Sequence, residues 1–86
     1  MREVTIDERD WSSPQELMAW LKEELNFPDF FGGNLPALYD CLGDICEPTQ
    51  VTIVRRDPTP DTWFDKATIA FVRIAMENEN LRVRVR

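Results

Sequence analysis

The sequence contains no histidine, and that absence alone removes much chemistry. Ser–His and Cys–His nucleophilic pairs cannot be built, and the commonest general base is missing. The two cysteines, Cys41 and Cys46, form no CxxC pair and have no histidine to complete a zinc ligand set, so no metal is expected. Nothing marks the chain as secreted, which favours two reduced thiols over a disulfide. Neither GxGxxG nor GxxxxGK[ST] occurs, so no phosphate-cradling loop and no cofactor are expected. No run of about 18 apolar residues exists, and the opening MREVTIDERD has no apolar h-region. The protein is therefore expected to be soluble and cytoplasmic, without a membrane partner. Carboxylate catalysis stays open in principle, but no spacing points to it, and no catalytic residue is assigned.

Cations are also in short supply. Ten Lys and Arg stand against sixteen Asp and Glu, a formal net charge of −6. Direct nucleic-acid binding is disfavoured, because phosphate contacts need clustered cations. An acidic protein that works by charge should instead meet a basic partner, and its field would speed the encounter. At 86 residues the chain suits one domain, 1–86, since two cores would each be too small to hold together.

What is present reads as alternating strands and helices. Val4 and Ile6 alternate with polar neighbours as in a strand with one buried face. Ser13-Pro14-Gln15-Glu16 carries a helix-start signature, with Ser13 as cap, Pro14 in the first position and Glu16 reaching back to complete a capping box. Leu17, Leu21 and Leu25, with Met18, make a buried stripe on a helix from about 14 to 25, which Asn26 and Pro28 end. Residues 27–34 form a loop of three phenylalanines beside two glycines. Such apolar anchors imply an ordered segment, and of Phe30 and Phe31 one ring is expected to point inward and the other outward. Asn34 caps a second helix with Pro36 in its first turn, Leu35, Leu38 and Leu42 inward, and Gly43 as its stop. Residues 51–54 make a short apolar strand with both faces covered. From Trp63 the apolar residues fall at helical spacing, giving a helix of about 62–77 capped by Asp61 or Thr62. Trp20, Phe27, Trp63, Phe64 and Phe71 read most simply as core. Residues 81–86 alternate strictly, a strand with one apolar face and one solvated arginine face. This order predicts an α/β fold with parallel strands and helices packed on the sheet.

The charge is segregated along the chain. Between Lys22 and Arg55 there is no cation, yet Asp29, Asp40, Asp44 and Glu47 lie there. Positions 36, 40 and 44 share one face of the second helix and 35, 38 and 42 another, so Asp40 and Asp44 point away from the core. Two like charges at i, i+4 near a helix C-terminus repel each other and oppose the macrodipole, at a cost of tenths of a kcal/mol each. A cationic partner would supply the missing counter-charge, whereas without one these are ordinary solvated aspartates.

The run Phe27-Pro28-Asp29-Phe30-Phe31-Gly32-Gly33-Asn34-Leu35-Pro36-Ala37-Leu38-Tyr39-Asp40-Cys41-Leu42 resembles the signature of the barstar family of ribonuclease inhibitors. There, two aromatics, a glycine and an asparagine precede a helix with an aromatic-Asp-Cys-Leu run. The resemblance covers roughly a quarter of the chain closely. It implies a barstar-like three-stranded parallel sheet packed against three to four helices, no enzymatic activity, and an antitoxin or immunity role. It further implies that the 27–44 loop and helix enter the basic active site of an extracellular or toxin-type ribonuclease, with Asp40 in place of a substrate phosphate. Phe30, Phe31, Asn34, Pro36, Ala37, Tyr39, Gly43 and Asp44 would line the contact around Asp40, and the free protein would be monomeric. The chain departs from the family pattern at five positions. Pro36 stands where the better-known inhibitor has a second acidic contact, Phe30 and Phe31 lack tyrosine hydroxyls, Tyr39 replaces a tryptophan, and Arg73 falls near a contacting glutamate. A site built for such groups leaves its own donors unpaired when they are missing, so these changes bear on which nuclease is bound. The alternative is an acidic α/β interaction module with a non-nuclease partner.

Overall fold

The computed structural model describes residues 1–29 and 31–86. Its elements in chain order are β1 (Arg2–Asp7), a 3-10 turn (Glu8–Asp10), α1 (Pro14–Glu24), α2 (Leu35–Gly43), β2 (Thr49–Val54), α3 (Trp63–Ala75) and β3 (Leu81–Val85). The three strands form one parallel sheet in the order β1-β2-β3. The expected α/β architecture is thus present, with three α-helices among the described residues.

Register places Val4, Val51 and Val83 in one row, and Ile6, Ile53 and Val85 in the next. The deeply buried strand residues, Val4, Ile6, Thr49, Val51, Ile53 and Leu81, all fall on that face, which packs on the helices. α1 contributes Leu17, Met18, Leu21 and the flanking Leu25, α2 contributes Leu38 and Leu42, and α3 contributes Phe64, Phe71 and Ile74. The opposite sheet face is open. Gln50, Thr52 and Val54 on it are half-buried, which corrects the expectation that both faces of β2 are covered. β2 begins two residues earlier than its apolar run suggests, and Thr49 and Gln50 restore the alternation of a one-sided strand.

Local chemistry explains the helix ends. Ser13 Oγ accepts the Glu16 N–H at 3.3 Å, and Pro14 takes the first turn. The Glu16 carboxylate turns to the Ser12 N–H (3.0 Å) and hydroxyl (2.9 Å), where the box motif would have it meet the Ser13 amide. After α1, Asn26 adopts φ 57° and the Phe27 N–H reaches the Lys22 carbonyl at 2.9 Å, a Schellman closure. That closure turns Phe27 into the core. Trp20 and Trp63, expected in the core, lie half-buried at its margin. Trp20 packs on Trp11 with ring centroids 5.1 Å apart. Thr62, rather than Asp61, caps α3 by accepting the Asp65 N–H at 3.1 Å.

The 55–62 connection is tied down by charge. Arg56 makes a two-pronged pair with Asp7 at 3.1 and 2.7 Å, and Glu8 accepts the backbone amides of Arg56 and Asp57. The Asp7 carboxyl is consequently held down to about 2, chiefly by the Arg56 hydrogen bond.

Candidate functional site

α2 is short, and its two sides differ completely. Leu38, Cys41 and Leu42 are buried, while Pro36, Asp40, Gly43 and Asp44 are exposed, with Ala37 and Tyr39 half-buried between them. At 3.6 residues per turn the six outward residues occupy one continuous arc. The structure therefore brings together the residues singled out on this helix. Asn34 is exposed and its Oδ1 accepts the Ala37 N–H at 2.9 Å, which is the expected cap. Phe31 is half-buried, its ring centroid 5.0 Å from that of Phe27. Phe30 lies outside the described residues, and with it one half of the expected inward and outward pair. Gly33 takes φ +72°, a conformation that a side chain would strain, and so sets the approach to α2.

The charges around this arc are arranged unevenly. Lys22 lies 3.7 Å from Asp29, and Arg2 lies 3.5 Å from Glu47, so folding brings cations to both flanks of the stretch that carries none in sequence. Asp40 and Asp44 have no ion-pair partner among the described residues. Their field is felt by Cys41, whose thiol is pushed up first by burial and then by Asp44 and Asp40. Cys41 is a buried free thiol, and Cys46 is an exposed free thiol whose Sγ donates to the Asp44 carbonyl.

Gly43 was expected to stop the helix. The helix does end there, but without a left-handed glycine, since Asp44 follows at φ −91°. A Cβ built on Gly43 would meet nothing within 4 Å. The fold itself therefore makes no demand for glycine here, and a helical glycine costs roughly 1 kcal/mol relative to alanine.

The role of Asn78 could not be read from sequence. From the α3–β3 loop, its Nδ2 donates to the carbonyls of Leu42 (3.0 Å), Gly43 (3.3 Å) and Ile45 (3.0 Å). The Leu42 and Ile45 carbonyls have longer contacts besides, to the Ile45 N–H (3.4 Å) and Asn80 Nδ2 (3.5 Å), so Asn78 is their main partner past the helix end. A neutral amide in that place leaves the negative charge of Asp40 and Asp44 intact. The Asp7–Arg56 pair also lay beyond sequence reasoning, because its members are 49 residues apart.

Among the described residues no three His, Cys, Asp or Glu side chains gather as a metal site, and no helix is long and apolar enough to cross a membrane. The arc offers exposed carboxylates, a half-buried tyrosine ring and backbone. Fold and face together define a small acidic α/β protein that presents carboxylates from one short helix. The chain belongs to the barstar family, whose model, described as "Barstar (barnase inhibitor)", matches residues 1–79. It is also 50% identical over 42 residues to a Bacillus subtilis (strain 168) protein named "Putative ribonuclease inhibitor YrdF". That match takes in 49% of this chain and 46% of the relative, so the chain spans about half the length of the relative it matches. The family is one of ribonuclease inhibitors rather than enzymes.

Proposed function

We propose that this protein inhibits a basic ribonuclease by seating α2 and the preceding loop in the enzyme's active site, with the Asp40 carboxylate in place of a substrate phosphate. The observation that carries this reading is an exposed aspartate pair without counter-ions on a helix whose other side is locked in the core. An ion pair at 4 Å gains about 1 kcal/mol in water and about 4 kcal/mol at an effective dielectric of 20, before desolvation is subtracted. Exclusion of water by the arc around Asp40 therefore decides the affinity. Phe31, Tyr39, Pro36 and Ala37 supply the rim, and Gly43, bare of any side chain, allows close backbone approach. Cytoplasmic residence, one domain and a monomeric free state are parts of the same proposal.

The test is inhibition of RNA hydrolysis by purified cationic ribonucleases and toxin nuclease domains. Stoichiometric inhibition that falls by about 30-fold or more in Asp40→Ala supports the reading, since breaking a buried charge pair costs about 2–5 kcal/mol. Pro36 and Arg73, both exposed where the resemblance implies acidic contacts, favour a second reading, that the same face docks on a non-nuclease protein. Absence of inhibition across the nuclease panel, with a non-nuclease partner still bound by wild type and lost in Asp40→Ala, would establish that reading instead.

A further inference from the structure

β3 takes no part in the inhibitory face, and it lies beyond the residues matched by the family model. The strand pairs with β2 only and forms an edge of the sheet. Asn80 accepts from Thr49 N–H, Arg86 N–H donates to Ile53, and Arg86 accepts from Arg55 N–H. Even-numbered residues thus turn their backbone groups toward β2, and Val83 and Val85 turn theirs to the free edge. Side chains follow the same alternation. Arg82 and Arg84 stand on the open sheet face beside Gln50 and Thr52, and Arg86 continues their row. All three are exposed, and none has an ion-pair partner among the described residues.

The other side of this edge is apolar. Val85 is 44% exposed, and α3 exposes Ile69 (43%), Val72 (39%) and Met76 (84%) on successive turns. Those three line a groove of about 230 Å³ that Arg55, Asp65, Thr68 and Arg73 also border. The backbone of Arg55, one wall of the groove, donates to the Arg86 carbonyl that follows β3.

We infer that the free edge of β3 accepts, by strand addition, an extended partner segment in which acidic residues alternate with apolar ones. Same-face side chains of a strand recur every two residues, about 6.6 Å, on host and guest alike. Carboxylates at every second position of the guest therefore fall beside Arg82 and Arg84, and its apolar residues fall on the Val83 and Val85 side. The backbone of Val83 and Val85 supplies the ladder bonds, and the alternate side chains supply the selectivity. A second copy pairing edge to edge would set this arginine row against its own kind, which is unfavourable. Single-stranded nucleic acid fits less well, because the open face carries Glu3, Thr5, Gln50, Thr52 and Val54 and no aromatic ring for base stacking. The site is separate from α2 and does not rest on the ribonuclease reading.

The experiment is an NMR titration of the isotope-labelled protein with a short peptide alternating glutamate and valine, and with its lysine-for-glutamate counterpart. The glutamate peptide is expected to shift the Val83 and Val85 amides saturably, to weaken as salt rises, and to outbind the lysine peptide by about tenfold or more. Arg82→Glu with Arg84→Glu should reverse that preference. Val83→Pro removes an outward N–H that β2 does not use, and should weaken the peptide several-fold while leaving the dispersed spectrum of the fold in place. No saturable shift at Val83 and Val85, equal response to both peptides, or stronger perturbation of these amides by oligouridylate would each overturn the inference.

Discussion

Replacing Asn78 with alanine should destabilise the protein by about 2 kcal/mol without touching the proposed contact face. Its two Nδ2 hydrogens serve three carbonyls, of which those of Leu42 and Ile45 are in part-buried bonds and that of Gly43 is exposed. The exposed carbonyl can turn to water, so the loss amounts to two hydrogen bonds at about 1 kcal/mol each. The Asn80 N–H also loses its acceptor, Asn78 Oδ1 at 3.0 Å, which moves the figure upward. For a domain of this size about 2 kcal/mol corresponds to roughly 8–16 °C in Tm. Urea unfolding followed by tryptophan fluorescence, with an unchanged m-value, is the appropriate assay. Asn78→Asp should be worse than alanine, since a carboxylate donates nothing and repels the same carbonyls and Asp44. If Asn78→Ala changes stability by less than about 0.5 kcal/mol, the idea that this amide closes the end of α2 is wrong.

The remaining expectations follow from other parts of the molecule. Asp7, held to about 2 against an ordinary 3.8 by Arg56, contributes stability that is complete above the ordinary value and is lost as pH falls from about 4 toward 2. Glu16 and Asp57, lowered by hydrogen bonds from Ser12 and Thr59, act in the same direction. Thermal melts should therefore be flat from pH 7 to about 5 and fall below about 4, and Arg56→Ala should flatten that acid limb; an unchanged limb contradicts the pair's role. Gly43→Ala should stabilise the free protein by about 0.4–1 kcal/mol while weakening ribonuclease inhibition, and equal inhibition by both proteins would show that close approach at Gly43 is not used. A thiol reagent at mildly alkaline pH should label Cys46 quickly and Cys41 only on unfolding; two fast thiols would contradict the burial and raised pKa of Cys41.

The parts of the fold that local chemistry governs were legible in the sequence. Ser13, Asn34 and Thr62 cap the helices they precede, and the alternation of 81–85 marks a strand because both depend on neighbours in the chain. The inward and outward sides of α2 were legible for the same reason, since 3.6-residue spacing fixes them once the core residues are known. Tertiary partners were not legible. Lys22 and Arg2 reach the flanks of the anionic segment only after folding, Asn78 meets carbonyls 33–36 residues away, and Glu16 chose Ser12 over Ser13. The covered or open state of a sheet face likewise depends on where helices settle, and this is why Val54 read as core and stands half-buried.

A crystal structure of the protein bound to a ribonuclease that it inhibits would show whether Asp40 occupies the place of a substrate phosphate. Both Asp40 oxygens are expected within about 3 Å of cationic side chains in the enzyme's substrate-phosphate subsite, with Gly43 against the enzyme backbone. An Asp40 side chain facing solvent at the edge of the contact, with that subsite empty or filled by another part of the chain, would contradict it.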